Sequence, residues 1–250
     1  EAAEMTHPPL FRVGLLLTER CDAACRHCWF SSNPDRKATM TLEQAKKYID
    51  EAAANGARWV SFTGGEPFLV YDLLLGLTAY ASNTGLLSEA VTNCNWATSR
   101  EKALQQLSPL KESGLNTLNM SVDDFHQETI PLTRVKNCFE AAKRLELKPV
   151  LMITVKKKSD ITAHRITALL EDPNIQILGA EKLPNPSALA METHFTPVGR
   201  GEKTPRTQLK LTHVESQPCR SMLTDIGVRP NGDVMPCCGP LGAQNDAAIG

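Results

Sequence analysis

The sequence has few aromatic residues, no long apolar run and no excess of charge of either sign. Its 27 Lys and Arg residues nearly balance its 28 Asp and Glu residues, so the formal net charge is -1. A balanced surface gives no electrostatic reason to expect binding to nucleic acid or to an anionic membrane. No apolar stretch approaches the roughly 18 to 20 residues that a membrane-spanning helix needs. We therefore expect neither a nucleic-acid partner nor a membrane span.

The amino-terminal stretch also lacks the features of a signal peptide. Residues 1–10 (EAAEMTHPPL) contain acidic side chains and no apolar core segment. This predicts a cytoplasmic, reducing location. In such a compartment the eight cysteines of the sequence are expected to be metal ligands or catalytic thiols rather than disulfides.

Short apolar segments alternate with helical segments over residues 1–181. The alternation predicts an α/β fold with a parallel sheet, a partial (β/α)6 barrel of the TIM type, whose chemistry lies at the carboxyl ends of the strands. A capping box formed by Thr41 and Gln44 marks the start of one of the helices. The expected strands are Phe11–Thr18, Arg58–Thr63, Leu87–Thr92, Thr117–Val122, Pro149–Val155 and Ile175–Leu178.

The alternation stops after residue 181. Residues 182–216 are rich in proline and polar side chains, which favours a linker or a covering segment. Residues 217–250 are expected to form a small cysteine module with a β-hairpin. Its turn is placed at Asn231-Gly232, a pair typical of two-residue type I′ turns.

Three cysteines follow the first expected strand directly. Cys21, Cys25 and Cys28 lie in the segment CDAACRHC, so one short loop carries three thiols. Soft thiolate ligands select zinc or an iron–sulfur cluster. Structural zinc normally takes four protein ligands, and this loop offers three thiolates. A [4Fe–4S] cluster with one open iron is therefore favoured over zinc.

The spacing of these cysteines at the end of a first strand resembles that of the radical S-adenosylmethionine (SAM) superfamily. The resemblance implies that the three cysteines hold a [4Fe–4S] cluster whose open iron binds SAM. Reductive cleavage of SAM would then yield a 5′-deoxyadenosyl radical that abstracts a substrate hydrogen. It also implies an electron donor such as flavodoxin or ferredoxin. His27 stands where the family usually has an aromatic residue, and we expect it to bind the cofactor.

A second motif follows the second expected strand. Gly64-Gly65-Glu66-Pro67 resembles the GGEP segment of the family, which binds the amino group of SAM. The two glycines allow the backbone to approach a ligand closely, and Glu66 offers hydrogen-bond acceptors.

Polar residues at the ends of the third and fourth strands complete the expected cofactor site. Asn93 lies where similar proteins carry an asparagine near SAM, and Ser121 and Asp123 lie where relatives place polar groups near the ribose. Asp123 is also a candidate catalytic residue. An alternative stays open, in which Asp123, Asp124 and His126 only cap the next helix or turn.

A second cysteine group lies near the carboxyl-terminal end of the sequence. Cys219, Cys237 and Cys238, preceded by the segment Pro197–Gly201, resemble the opening of a SPASM or twitch extension. The resemblance implies an auxiliary iron–sulfur cluster, although no cysteine follows Cys238, so we expect a truncated or reduced module. Two alternatives stay open: a structural zinc site, and a catalytic role for Cys238 as a hydrogen-atom donor.

The architecture also indicates a class of substrate. Relatives that combine these two cysteine groups often modify peptides or proteins, so the resemblance implies a peptide-modifying enzyme of the kind that matures ribosomally made peptides. A small-molecule substrate is the first alternative. A non-catalytic zinc-binding scaffold is the alternative from another class of protein.

Overall fold

The computed structural model describes residues 9–210, 219, 221–243 and 247–250. The helices are α1 (Leu42–Ala54), α2 (Tyr71–Asn83), α3 (Arg100–Glu112), α4 (Leu132–Arg144) and α5 (Ala163–Leu169). The strands are β1 (Arg12–Thr18), β2 (Trp59–Gly64), β3 (Leu87–Thr92), β4 (Thr117–Ser121), β5 (Lys148–Val155), β6 (Ile175–Ile177), β7 (Ala188–His194), β8 (Asp225–Val228) and β9 (Val234–Met235). No helix in these ranges combines the length and apolar character needed to cross a bilayer.

The strands form one open sheet in the order β6, β7, β5, β4, β3, β2, β1, β8, β9. All neighbouring strands are parallel except β8 and β9, which are antiparallel. The expected α/β fold with a parallel sheet is thereby confirmed. Because parallel strands share one carboxyl edge, the loops that follow β1 to β5 meet at the same end of the sheet.

Local sequence signals account for where the helices begin and end. The backbone N–H of Gln44 donates to Thr41 Oγ1, and the Thr41 N–H donates to Gln44 Oε1, as the capping box predicts. Helix α1 ends at Ala54, and the chain leaves it through Gly56 with a φ of +88°. Ala45, Ile49 and Ala52 form the buried face of this helix.

Strand β5 shows how the sheet separates a packed core from an interior cavity. Leu151, Ile153 and Val155 are buried in the core, while Met152 and Thr154 line the cavity on the other face. This alternation follows from the two-residue period of a strand. Burying each large aliphatic side chain contributes about 1.5–3 kcal/mol to the stability of the fold. The outer face of the strand therefore stabilises the fold, and the side chains of the inner face can line the cavity.

Strand β7 lies inside residues 182–216, where the sequence predicts a linker or covering segment. It pairs with β5, with Leu189 opposite Val150 and Met191 opposite Met152, and it separates β5 from β6. Alanine, leucine and methionine favour helices over strands, so composition gave no strand signal here. The expected boundary at residues 216 and 217 lies outside the described residues.

The carboxyl-terminal hairpin is present and joins the main sheet. Strand β8 pairs in parallel with β1, and β9 returns antiparallel to β8. The expected two-residue type I′ turn is wrong: Gly232 has a φ of +96°, but Asn231 has no positive φ. The loop is longer, since the Arg229 N–H donates to the Asp233 carbonyl and the Gly232 N–H donates to the Arg229 carbonyl.

Candidate active site

A cavity of about 480 Å³ lies on the inner face of the sheet. The cysteine loop after β1 forms part of its wall, and Cys21 and Cys25 are buried while Cys28 is half-buried. The loop is held by its own backbone, because the Cys21 N–H donates to the Asn33 carbonyl and the Cys28 N–H donates to the Cys25 carbonyl, both over 3.1 Å. The fold therefore brings three thiols of one loop to one cavity.

Most of the expected site residues line this cavity. Burial raises the pKa of Cys21 and of Cys25 to about 12, so these thiols ionise readily only when a cation shares the site. The expected residues that line the cavity are Cys21, Cys25, His27, Cys28, Gly64, Gly65, Asn93, Ser121, Asp123 and Cys238.

The two glycines of the GGEP segment pack against the start of the cysteine loop. A Cβ on Gly64, whose φ is +133°, would lie 2.4 Å from the carbonyl oxygen of Thr18, and one on Gly65 would lie 2.0 Å from that of Arg20. The Gly65 N–H also donates to the Thr18 carbonyl. The close approach that requires glycine is thus between two segments of this chain, and it fixes the exit of β1 beside β2.

Glu66 and Pro67 lie behind the cavity wall rather than on it. The Glu66 carboxyl group is buried and accepts hydrogen bonds from the Phe68 N–H, the Thr92 hydroxyl and the Asn93 N–H. Burial raises the pKa of Glu66 to about 8, against the effect of these three donors. In the described structure, Glu66 therefore acts on the site through Asn93.

Asn93 is fixed beside the cysteine loop by contacts on several sides. Its Nδ2 donates to Asp22 Oδ1 over 2.8 Å and lies 3.7 Å from Cys21 Sγ. Asn95 Nδ2 donates to the other oxygen of Asp22 over 2.9 Å. Asp22, which sequence reasoning missed, therefore joins the end of β3 to the cysteine loop.

His27, Asp123, Phe125 and His126 form a cluster at the cavity wall. The His27 ring is stacked on the Phe125 ring, with centroids 4.5 Å apart and 16° between the planes, and it meets the His126 ring edge-on at 4.7 Å. Asp123 Oδ1 accepts hydrogen bonds from the Phe125 N–H, the His126 N–H and His126 Nδ1. The capping that we considered as an alternative is therefore present, and Asp123 also faces the cavity.

Charge interactions and burial shift the pKa values of Asp123 and His27 in this cluster. Burial is the largest single effect and tends to raise the pKa of Asp123, but several charge interactions and hydrogen bonds, chiefly those with His126, together outweigh it and lower the pKa to about 2. Burial lowers the pKa of His27 to about 4, so this ring is neutral at neutral pH. Potential metal-ligand atoms of His27, Asp123 and His126 lie within 4.8 Å of one another. Among the described residues, no other group of three His, Cys, Asp or Glu side chains comes this close together.

Five buried polar atoms around the cavity have no hydrogen-bond partner among the described residues. They are Arg12 Nε, His27 Nδ1, Trp29 Nε1, Ser32 Oγ and Arg200 Nη2. Buried polar atoms are normally paired, so five unpaired polar atoms on one cavity indicate a polar ligand. Three thiols, these unpaired atoms and the amide of Asn93 together fit a [4Fe–4S] cluster with SAM.

Residues 15–158 match the family model of the Radical SAM superfamily. The chain belongs to the radical SAM superfamily. Members of this family are enzymes that use a [4Fe–4S] cluster and SAM, and Cys21, Cys25 and Cys28 are the residues of this chain that would hold the cluster. The match begins within β1 and covers β2 to β5 in full, so it includes the carboxyl ends of the strands that form the site.

Curated relatives and solved structures agree with this membership. The putative peptide biosynthesis protein YydG of Bacillus subtilis is 26% identical over 231 residues, which cover 91% of this chain and 69% of that protein. Fe-coproporphyrin III synthase of Methanosarcina barkeri is 29% identical over 203 residues, so the chain spans about half of that enzyme, 46%. The crystal structure of Streptococcus suis SuiB bound to the precursor peptide SuiA superimposes with a TM-score of 0.61 at 15% identity, covering 93% of this chain and 60% of that one. This last likeness confirms the TIM-type partial barrel.

Arg200 belongs to the site of this radical SAM enzyme, and sequence reasoning missed it. Its backbone N–H donates to the Cys28 carbonyl over 3.1 Å, and its side-chain Nε donates to the Cys25 carbonyl over 2.9 Å. The segment Pro197–Gly201 was noted only as a likeness to what precedes a cluster extension. A contact between residues 175 positions apart has no signal in a single sequence.

Of the second cysteine group, Cys238 alone lines the cavity. It lies beside β1, where a Cβ on Gly14 would come within 3.0 Å of Cys238 Cβ, and its N–H donates to the Asp225 carbonyl. Burial raises the pKa of Cys238 to about 11. Cys237 is half-buried and Cys219 is exposed. The ion pair of Arg12 with Glu89 shares this part of the cavity, and sequence reasoning missed both residues.

Proposed function

We propose that this radical SAM enzyme removes a hydrogen atom from a residue of a peptide substrate held in the central cavity. The observation that carries the proposal is the extent of the similarity to YydG, whose name places it in peptide biosynthesis. That similarity covers 231 residues and therefore runs well beyond the family domain at residues 15–158. At 91% of the chain, it includes the part that supplies β7 and Arg200, which line the cavity.

The residues of the first cysteine loop hold and orient the cofactors in this proposal. Cys21, Cys25 and Cys28 bind the cluster as thiolates. When bound, the cluster and SAM supply the radical that removes the hydrogen atom. The backbone of Gly64 and Gly65 and the amide of Asn93 bind the amino acid part of SAM, since they lie beside the cysteine loop.

The cluster of rings and carboxylate is proposed to bind the nucleoside part of SAM. His27 offers a neutral aromatic ring that Phe125 supports from behind. Asp123 has a second carboxylate oxygen, Oδ2, which offers a hydrogen-bond acceptor, and Ser121 on the preceding strand offers a hydroxyl at the same wall. A base and a ribose need these two kinds of contact.

Cys238 is proposed to return a hydrogen atom to the substrate. It lines the same cavity as the three cluster cysteines, from the side of β8. A carbon radical would take the hydrogen atom from the thiol, forming a C–H bond and breaking the S–H bond. To restore the thiol, the resulting sulfur radical needs one electron, which an external donor such as flavodoxin or ferredoxin supplies, and one proton, which comes from water. Such donors act in a reducing cytoplasm.

A different role for Cys238 is as a ligand, with Cys219 and Cys237, of an auxiliary iron–sulfur cluster. The two roles differ in what the sulfur carries, because a donor must be a thiol and a ligand must be a thiolate. Iron analysis separates them. About four irons per chain indicate the SAM cluster alone, whereas about eight indicate a second cluster.

The test is to purify the protein without oxygen, measure its iron, sulfide and zinc, and then incubate it with SAM, a reductant and short peptides in deuterated buffer. Formation of 5′-deoxyadenosine together with one deuterium in a peptide product supports hydrogen abstraction followed by return from an exchangeable thiol. The Cys238→Ala variant should still form 5′-deoxyadenosine but should lose the deuterated product. Zinc without iron would refute the proposal and favour the scaffold alternative.

A small-molecule substrate is the second candidate, and one observation favours it. The sequence identity to Fe-coproporphyrin III synthase is slightly higher, 29%, although the match covers less of this chain, 78%. The same assay distinguishes the two, because 5′-deoxyadenosine formation should respond to the class of substrate added. Stimulation by tetrapyrroles and not by peptides would favour the small molecule.

A further inference from the structure

A turn from the second half of the chain packs against the cysteine loop and is hydrogen-bonded to it. The 3-10 turn Gly199–Lys203 follows β7 and places Gly199 against Trp29. A Cβ on Gly199, whose φ is +58°, would lie 2.1 Å from the Trp29 carbonyl oxygen and 2.7 Å from that of Cys28. This approach admits only glycine, and it brings the next residue, Arg200, onto the loop.

Arg200 then binds the two halves of the loop at once. Its backbone N–H donates to the carbonyl of Cys28, and its Nε donates to the carbonyl of Cys25. These bonds use the main chain of two expected cluster ligands and leave both sulfur atoms free for metal. An arginine side chain carries five N–H donors in a rigid fork, so one contact through Nε also fixes the direction of the others.

One of these remaining donors is unpaired. Arg200 Nη2 is buried, has no hydrogen-bond partner among the described residues, and belongs to a side chain that lines the cavity with Cys25 and Cys28. A buried donor on a charged group that lacks an acceptor is costly, so a bound group is expected to supply one. The inorganic sulfides of a cluster or a carboxylate of SAM are such acceptors.

We propose that Arg200 is a positioning residue that holds the cluster loop in shape and places a positive charge and an N–H donor beside the [4Fe–4S] cluster. The inference depends on membership of the radical SAM superfamily and not on the identity of the substrate. Net charge and hydrogen bonds to sulfur set the reduction potential of such clusters. A positive charge stabilises the reduced, more negative form, so Arg200 raises the potential.

Arg26 provides a matched control. It is also an arginine beside Cys25 in sequence, but its side chain is exposed and forms an ion pair with Glu128. It is not among the residues that line the cavity. Arg26→Gln and Arg200→Gln therefore remove the same charge from the protein at two places that differ in access to the cluster.

The experiment is a redox titration of the anaerobically purified protein, followed by the EPR signal of the reduced cluster. Arg200→Gln should lower the midpoint potential, Arg200→Lys should keep it near the wild-type value, and Arg26→Gln should leave it unchanged. An unchanged potential in Arg200→Gln, or an equal fall in the lysine and glutamine variants, would overturn the electrostatic role.

Iron loss to a chelator tests the positioning role separately. Lysine keeps the charge but lacks the fork that reaches the Cys25 carbonyl, so Arg200→Lys should lose iron faster than the wild type while retaining its potential. A wild-type rate of iron loss in this variant overturns the positioning role, and it does so even if Arg200→Gln cannot be purified with a cluster. Absence of iron from the wild-type protein would refute the cluster site itself.

Discussion

The His27 ring lies flat against the Phe125 ring at a centroid distance of 4.5 Å. This stack joins the cysteine loop to the segment that follows β4, and it presents a neutral ring to the cavity. An aromatic pair of this kind contributes about 0.5–1.5 kcal/mol beyond the area that it buries.

We expect His27→Ala to weaken SAM binding by roughly tenfold, because the cavity loses the ring that Phe125 supports. His27→Phe keeps a flat ring in place and should bind SAM nearly as well as the wild type. Equilibrium dialysis of SAM against the iron-loaded protein measures both. Equal weakening in the two variants would mean that imidazole hydrogen bonding, and not ring stacking, matters.

Removal of any cysteine of the first loop should abolish SAM cleavage. Cys21→Ala, Cys25→Ala and Cys28→Ala each leave two thiolates, which cannot hold the cluster, so 5′-deoxyadenosine should fall to background. Cys138→Ala is the matched control, since Cys138 lies in the buried face of α4 and does not line the cavity. Activity that survives in a loop variant would show that the cluster lies elsewhere.

Gly199→Ala should disturb the cysteine loop, because its new methyl group would collide with the Trp29 carbonyl. Gly179→Ala is a control with a similar backbone, since Gly179 has a φ of +87° but nothing lies within 4 Å of its Cβ position. The control should lose about 1–2 kcal/mol from its left-handed backbone alone. Iron content and thermal unfolding measure the difference, and equal iron in both variants would contradict the fastening of the turn to the loop.

Glu66 should make the stability of the protein depend on pH. Its folded pKa of about 8 lies above the ordinary glutamate value, so the folded state keeps a proton that the unfolded state releases. This contribution is complete at acidic pH and is lost as the pH rises through about 8. Between about pH 6 and pH 8, the free energy of unfolding should fall by up to about 1.4 kcal/mol per pH unit.

Glu66→Gln cannot titrate and should lack this decline. Urea unfolding over that range compares it with the wild type and with Glu43→Gln, an exposed change in the first turn of α1. The decline should persist in the Glu43 variant. Parallel curves for the wild type and Glu66→Gln would show that Glu66 is already ionised in the folded state.

The sequence predicted what local rules encode. The capping box at Thr41 and the strand ends that carry Gly64 and Asn93 depend on neighbouring residues, and they lie where the sequence predicts them. The cysteine spacing is also local, and it places three thiols of one loop at the cavity. The contacts that join distant segments were not predictable in this way. The pairing of β7 with β5 overrides the helix preference of its residues, and the bond from Arg200 to Cys25 appears only when the chain has folded.

The position of β8 beside β1 also has a consequence for the order of assembly during synthesis. This is the pairing of greatest sequence separation in the described sheet, and it brings Cys238 to the cavity wall. Domains begin to fold from the amino-terminal side while the ribosome still adds residues. The cysteine loop after β1 is therefore synthesised before β8 and Cys238, so its three thiols exist before the cavity has its last wall.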